Sequence, residues 1–289
     1  MSVPTALSVL QAQLIAPHGR ARIDALLEAE DPAAAVAELE SGEVHALVHE
    51  VGFEEAGELL ALATGAQFQG CFDLDGWDRD KPDVASLTPW IAALIETGYE
   101  HVGEVWAGLD AEVRALIMQR GTLIHDLTLG EEPDDTDDRA LYITVDRFFG
   151  VRLTGSEDDD RLVVQLIDDL YRADSDLARN TLQTARSELG AELEEEAYRW
   201  RCARLADAGY PELGEALNIY RPLEPSAVPP PDDGPVLAPL ADPMTLAPSI
   251  AAQFAARDRL AAAMAVMPAE AAQALMTAFV VLINKVLAA

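Results

Sequence analysis

The sequence predicts a mostly α-helical protein, with a solenoid-like stack of short helices at the N-terminus, a helical middle region with one β-hairpin, and a C-terminal helical hairpin. Half of the residues are hydrophobic but only 6% are aromatic, and the abundance of alanine and leucine favours helices over strands. Apolar residues recur at helical spacing in short segments that glycines separate. Only one segment shows the alternation that is typical of strands.

Short helical units fill residues 31–70. Asp31 and Pro32 form a typical helix start, and Gly52 and Gly65 separate later units. Two successive units carry apolar residues at i, i+3, i+4 and i+7, namely Val44, Leu47, Val48 and Val51, then Ala56, Leu59, Leu60 and Ala63. Each unit therefore has a single apolar stripe and is too short to be stable alone. Stacking of neighbouring units buries such stripes, which is how an α-solenoid is built.

Longer elements follow the short units. Helices are predicted at residues 84–97, 99–107, 110–126, 158–172, 175–188, 192–207 and 211–219. The acidic segment 129–140 is expected to be a solvated loop. The sequence LYITVDRFFGVRL (141–153) alternates on both sides of Asp146 and Arg147, so it predicts a hairpin that packs against helices.

Proline separates the C-terminal part of the chain from the rest. The segment 221–244 is proline-rich and predicts an extended linker, which two helices at 248–266 and 268–287 follow. We therefore expect four regions: a superhelical region (1–128), an acidic loop with the hairpin and helices (129–222), the linker (223–247) and the helical hairpin (248–289).

The formal net charge of −31 limits the classes of partner. Nucleic acids and anionic membranes bind through lysine and arginine, so this chain is expected to bind neither. A basic protein partner or divalent cations fit the charge, although the same charge can serve solubility alone. The oligomeric state is left open.

Three features of the sequence predict a cytoplasmic protein. Its N-terminus lacks the basic segment that precedes the apolar run of a signal peptide. The other candidate membrane segment, residues 271–284, has 14 uncharged residues, fewer than the roughly 20 that span a bilayer. Cys71 and Cys202 lie far apart outside any CxxC pair, which suits buried free thiols in a reducing compartment.

An acidic segment, CFDLDGWDRDKPD (71–83), raises the question of a metal site. It fails as an EF-hand because the fifth position from Asp73 is Trp77, glycine comes early, and the twelfth position is Val84. A looser magnesium or calcium site is still open, with Asp73, Asp75, Asp78 and Asp80 as its ligands. The competing interpretation is structural: a turn at Asp75 and Gly76, Trp77 folded into the core, and Asp83 as the cap of the next helix.

Two histidines have the spacing of metal ligands, since His45 and His49 lie at i and i+4. The apolar stripe through Val44 and Leu47 puts both on the outer flank of their helix, and no nearby sequence pattern offers a third ligand. A solvated helix face is therefore the favoured interpretation of this pair.

Catalytic and cofactor motifs are missing from the sequence. Ser156 lacks the GxSxG elbow, neither cysteine has an adjacent histidine, and no glycine-rich phosphate loop occurs. No cofactor is predicted. The helix at 192–207 is apolar on two faces and should be central, so Arg201 and Arg204 beside Trp200 should form internal ion pairs or hold an anionic ligand.

Three segments carry a family resemblance: EEEAYRWRCARLADAGYPELGEALNIYRPL, CFDLDGWDRD and LYITVDRFFGVRL. Over residues 22–225 the chain resembles the uncharacterised bacterial family DUF6178, which implies no known activity. Residues 31–70 are also similar in pattern to the short-helix superhelices of the MgtE-type magnesium channel N-terminal domain and the middle domain of the flagellar rotor switch protein. That similarity implies a docking surface or an acidic face screened by divalent cations.

The sequence thus predicts a non-enzymatic protein–protein interaction module that presents an acidic helical surface. Its partner is expected to be basic, and sequestration of a nucleic-acid-binding protein is one form of this role. The alternative is a divalent-cation-responsive regulatory domain that uses the acidic stretches 73–83, 131–138 and 157–160. A second alternative is an enzyme or anionic-ligand binder built on Arg201 and Arg204.

Overall fold

A computed structural model describes residues 19–131, 133 and 139–220, together with residues 271, 274, 275, 277, 278, 281, 282, 285 and 286. These residues fall into two compact units. The larger consists of residues 23–201, and the smaller joins residues before 23 with those after 201. In the smaller unit, Lys285 Nζ lies 3.2 Å from a carboxylate oxygen of Glu215.

The described chain is mostly helical, as the sequence predicts. The helices are α1 (Arg20–Leu27), α2 (Pro32–Ala37), α3 (Ser41–Val51), α4 (Phe53–Leu60), α5 (Gly65–Asp75), α6 (Thr88–Glu96), α7 (Tyr99–Gly108), α8 (Ala111–Gln119), α9 (Glu157–Ala173), α10 (Ser175–Ser187), α11 (Gly190–Asp207) and α12 (Leu213–Ala216). Short 3₁₀ turns occupy Val84–Leu87, Leu127–Leu129 and Leu217–Tyr220.

The short helices stack in two rows. Helix α3 packs against α5, which packs against α7, while α4 packs against α6. Helix α9 then lies against α6 and α7, and α10 lies against α8. The apolar stripes face these contacts: Val44, Leu47, Ala56 and Leu59 are buried. Burial of one stripe per unit against the second unit along the chain accounts for helices that are too short to be stable alone.

Of two helix starts predicted from the sequence, the structure confirms one and differs from the other in detail. The Asp31 carboxylate accepts a hydrogen bond from the Ala34 amide at 3.0 Å and caps α2, as predicted. Asp83 stands at the predicted N-cap position, but its side chain makes no capping hydrogen bond. The helix predicted over 84–97 begins as the 3₁₀ turn, and its α-helical part starts at Thr88.

Three antiparallel strands form a sheet in the order β3 (Thr122–Asp126), β5 (Phe149–Leu153) and β4 (Leu141–Ile143). The predicted hairpin is confirmed, with Tyr142 opposite Val151. The helix predicted over 110–126 is wrong in its second half, because α8 ends at Gln119. Gly121, at φ 76°, turns the chain into β3, which pairs with the central strand β5. A separate small hairpin follows α5, in which the two-residue strands β1 (Trp77–Asp78) and β2 (Lys81–Pro82) pair with each other.

Helix α11 differs from its predicted place between two neighbours. Its buried residues are Leu193 and Ala197, whereas Trp200 is 47% exposed, so the prediction of a central helix is wrong. The Arg199 guanidinium lies 5.6 Å from the Trp200 ring centroid, an arrangement that suits a solvated tryptophan. Cys202 is only partly buried, and both cysteines are free.

The C-terminal predictions fall largely outside the described residues. Both the linker (223–247) and the helix at 248–266 lie there, while the described residues between 271 and 286 are helical, as predicted for 268–287. Among the described residues, no helix combines the length and apolar character needed to cross a membrane. The division into four regions stays a prediction.

Candidate functional sites: a histidine–aspartate cluster and an open sheet

Asp75 joins two histidines from another helix. It is the last residue of α5, and its two carboxylate oxygens lie 2.7 Å from His45 Nε2 and 2.8 Å from His49 Nε2. Because His45 and His49 are one turn apart on α3, their side chains reach the same carboxylate. An ionised carboxylate only accepts hydrogen bonds, so both imidazoles donate from Nε2.

Trp90 of α6 and Phe53 of α4 support the cluster with their aromatic rings. The Trp90 indole nitrogen donates a hydrogen bond to Asp75 Oδ2 at 2.7 Å, and Trp90 itself is fully buried. The Trp90 ring stacks on His45 with centroids 6.1 Å apart and meets Phe53 edge-on at 5.0 Å. The carboxylate is therefore held from three sides, with an apolar wall behind the imidazoles.

These contacts keep Asp75 ionised. Burial acts to raise the pKa of Asp75, but the hydrogen bonds from His45, His49 and Trp90 and the charge of His45 place it well below its ordinary value. The hydrogen bond to Asp75 raises the pKa of His49, against the opposing effect of burial. Burial, with the charges of Asp75 and Asp73, raises the pKa of Cys71, so that this neighbouring thiol stays neutral and is a poor metal ligand.

His45, His49 and Asp75 form a group that could hold a metal ion, since one ligand atom from each lies within 4.8 Å of the others. The interpretation of both histidines as a solvated face is wrong for His45, whose side chain is 13% exposed, against 48% for His49. The sequence pattern missed the third ligand because Asp75 lies two helices further along the chain. The i, i+4 histidine pair and the acidic segment were both visible, but their proximity was not.

The other three aspartates of the acidic segment have different surroundings. Asp73 is buried and accepts a hydrogen bond from the Gln69 amide nitrogen at 3.2 Å. Asp78 and Asp80 are exposed in and beside the β1–β2 hairpin. A calcium or magnesium site built from Asp73, Asp75, Asp78 and Asp80 stays a prediction. Among the described residues, the group of possible metal ligands that contains Asp75 consists of Asp75, His45 and His49.

The arginine helix α11 is anchored through Arg201. Its guanidinium Nε donates to the Asp73 carbonyl at 2.7 Å and lies 5.2 Å from the Trp77 ring centroid. A cleft of about 350 Å³ opens elsewhere in the larger unit, and its lining includes Ile91, Met118 and Arg120. Neither Arg201 nor its neighbours Trp200 and Arg204 is among the lining residues of that cleft. A ligand site on these three residues stays a prediction.

The three-stranded sheet is a second candidate site because exposed apolar side chains lie along its outer strands and in the adjoining turn. Val151 and Ile124 are buried on the face toward α10. On the opposite face, Leu123 and Leu141 flank Arg152 in register, and Ile143 lies beside Gly150. Arg152 and Gly150, at the centre of this face, are themselves buried, so the exposed side chains lie along its edges. We use the name open face for Leu123, Leu141 and Ile143 together with Val145 and Phe148 of the adjoining turn. These five side chains are between 40% and 70% exposed.

The comparisons with known proteins give a family without an assigned activity. The model of the family of unknown function DUF6178 matches residues 4–289, and the chain therefore belongs to this family. The match extends beyond the residues 22–225 on which the sequence resemblance rests. No curated protein matches the chain, and no solved structure does.

Proposed function

We propose that this member of the DUF6178 family is a non-enzymatic interaction module that binds a basic protein partner at the open face. The observation that carries this proposal is the concentration of exposed apolar side chains on one small sheet. Soluble proteins rarely leave a contiguous apolar patch exposed unless a partner covers it. Leu123, Leu141 and Ile143 lie on one side of the sheet. Val145 and Phe148 lie in the adjoining turn, where the Phe148 ring contacts Arg179 of α10.

The sheet also offers backbone hydrogen bonds. Among the described residues, β3 and β4 are the outer strands around β5. An outer strand presents unpaired N–H and C=O groups, which proteins protect with charge, proline or bulges when no partner is used. Strand β4 instead carries Leu141 and Ile143, both exposed. An extended segment of a partner can pair with β4 while its side chains pack on these two residues.

Charge selects the class of partner. Six of the eight residues from Glu131 to Asp138, just before β4 in the sequence, are acidic. Together with the net charge of −31, this segment favours a basic partner and speeds its encounter. The same surface would compete with nucleic acid for a nucleic-acid-binding protein, so that sequestration of such a protein is one form of this function.

A second candidate function, a divalent-cation-responsive regulatory domain, is favoured by one observation. The acidic stretches suggested it from the sequence, but the support comes from the His45, His49 and Asp75 cluster on α3 and α5. A cation held there would bridge two helices that pack directly against each other.

Affinity capture with matched variants tests the interaction role. The tagged chain, the double variant Leu141→Thr/Ile143→Thr and the control Leu189→Ser are incubated with a lysate of the source cells, and the retained proteins are compared by mass spectrometry. Threonine keeps the strand propensity while it removes apolar surface, and Leu189 is an exposed residue outside the sheet. We expect a basic protein to bind the wild type and the control but not the double variant. Identical retention by all three would contradict the proposal.

A further inference from the structure

We propose that His45, His49 and Asp75 bind a divalent first-row transition-metal ion, with zinc as its representative. This inference deepens the second candidate function, on which it rests, and is independent of partner binding at the open face. It keeps Asp75 from the acidic segment, adds His45 and His49 as ligands, and replaces magnesium or calcium by a transition-metal ion.

The ligand atoms match the chemistry of such an ion. Zinc takes imidazole nitrogen and carboxylate oxygen at about 2.0–2.2 Å, and tetrahedral coordination places ligand atoms roughly 3.3 Å apart. The Nε2 atoms of His45 and His49 now lie 2.7 and 2.8 Å from the Asp75 oxygens. Metal binding therefore requires each pair to separate by roughly half an ångström, which small side-chain rotations provide.

Metal binding requires the Nε2 atoms of His45 and His49 to lose their protons. In the hydrogen-bonded arrangement each imidazole presents an N–H from Nε2 to Asp75. For the ion to bind, a charged ring releases this proton to solvent, and a neutral ring exchanges it, through solvent, for one on Nδ1. The Nε2 lone pair then becomes the ligand.

An outer layer of contacts already holds Asp75 in position. Ligating carboxylates are usually hydrogen-bonded by a second layer of residues, and the Trp90 indole N–H supplies such a bond at 2.7 Å. The Ser86 hydroxyl also donates to the backbone carbonyl of Asp75. Trp90 and Phe53 form the apolar wall beside the imidazoles, which is the environment that strengthens metal–ligand attraction.

The exposure of the ligand side chains to solvent indicates a site that binds its ion reversibly, and not a closed structural site. The Asp75 side chain is 21% exposed and that of His49 is 48% exposed, so solvent reaches the cluster from the His49 side. Three protein ligands leave a fourth position for water, unlike the four protein ligands of structural zinc sites. Two imidazoles also select zinc, cobalt, nickel or copper over magnesium and calcium, which prefer oxygen.

The test is a zinc titration of the full chain after treatment with a chelator. Calorimetry is run with millimolar Mg²⁺ present, and a parallel titration with Co²⁺ follows the visible spectrum of the bound ion. We expect one zinc ion per chain and a Co²⁺ spectrum typical of four-coordinate sites. Because His49 is half-exposed, His49→Gln should fold normally, and it should weaken zinc binding by at least about tenfold. The control Asp78→Asn/Asp80→Asn removes two exposed carboxylates and should bind as the wild type does.

Three results would overturn the site. They are the lack of saturable binding at one ion per chain, unchanged zinc affinity in folded His49→Gln, or loss of binding in the control variant. Zinc binding is measured on the isolated chain, so its failure leaves the interaction at the open face untouched. Loss of the captured partner in Leu141→Thr/Ile143→Thr would likewise leave the zinc titration unchanged.

Discussion

The indole nitrogen of Trp90 lies 2.7 Å from Oδ2 of Asp75, so a fully buried residue of α6 holds the carboxylate that ends α5. The same carboxylate accepts hydrogen bonds from His45 and His49 of α3. One acidic side chain thereby links three helices of the stack at a single point. The sequence alone left the role of the acidic segment 71–83 open. In the structure, Asp75 of this segment holds a polar cluster together within the helical stack.

Trp90→Phe tests the energy of this link. Phenylalanine keeps an aromatic ring but removes the N–H donor, and a hydrogen bond to a charged group contributes about 1.5–3 kcal/mol. We expect the free energy of unfolding in urea to fall by about 2 kcal/mol or more, because the smaller ring also leaves a cavity. The same substitution at exposed Trp200 serves as the control and should change stability by less than about 0.5 kcal/mol. Equal effects at both positions would show that the hydrogen bond to Asp75 contributes little.

The close approach of α3 and α5 depends on a glycine. A Cβ atom at Gly70 would lie 2.3 Å from the Cβ of Ser41, too close for any real contact. Gly70→Ala should therefore push the two helices apart and lower stability by about 1–3 kcal/mol in a chemical denaturation experiment. Gly57→Ala is the matched control, because nothing lies within 4 Å of its Cβ position. It should stabilise α4 by roughly 0.5–1 kcal/mol. A Gly70→Ala protein as stable as the wild type would contradict the packing of α3 on α5.

Acid should weaken the attachment of the segment after β3. The Arg186 guanidinium and the Asp126 amide both bind the Glu131 carboxylate, and these contacts lower the pKa of Glu131 from 4.5 to about 2. A depressed pKa stabilises the folded state above the unfolded pKa, and that stabilisation disappears as the pH falls from 4.5 toward 2. Wild-type stability should therefore fall more steeply over this range than that of Glu131→Gln, as measured by urea unfolding at each pH.

A double-mutant comparison checks the same ion pair. If Arg186 acts through Glu131, the loss in Arg186→Met/Glu131→Gln should be smaller than the sum of the two single losses. Strictly additive losses, or parallel pH profiles for the wild type and Glu131→Gln, would contradict a stabilising contact between these side chains.

Arg201→Lys should loosen α11. The guanidinium donates to the Asp73 carbonyl at 2.7 Å and also lies against the Trp77 ring, and a lysine ammonium does not reproduce both contacts. We expect a loss of about 1 kcal/mol in thermal or urea unfolding. Arg199→Lys, on the exposed side of the same helix, should have no measurable effect. A neutral Arg201→Lys substitution would mean that the arginine is available for another role, such as the anionic-ligand site that the sequence suggested.

Local patterns in the sequence were sufficient for most helices. The spacing of Val44, Leu47 and Val48 in α3, and the Asp31–Pro32 start of α2, depend on residues within one or two turns. The hairpin was also local, since β4 and β5 are separated by a short turn. Strand β3 was missed because its partner β5 lies more than 20 residues further along the chain, and residues 122–126 continue the apolar pattern of α8.

The two candidate sites escaped prediction for the same reason. His45 and His49 are separated from Asp75 by two helix boundaries, and only the packing of α3 on α5 brings them together. The open face requires the order of the strands, which places β3 and β4 at the edges. Trp200 shows the opposite error: an aromatic residue on an apolar helix face was expected to be buried, but stacking with Arg199 satisfies it in solvent.

Site-specific photo-crosslinking in the source cells tests the central claim, partner binding at the open face, most directly. A photoreactive amino acid replaces Val145, the most exposed residue of that face, or Leu189, which is comparably exposed outside the sheet. We expect one discrete adduct with a basic protein from position 145 and none from position 189. Adducts of equal yield from both positions, or none from position 145, would contradict a partner site on the open face.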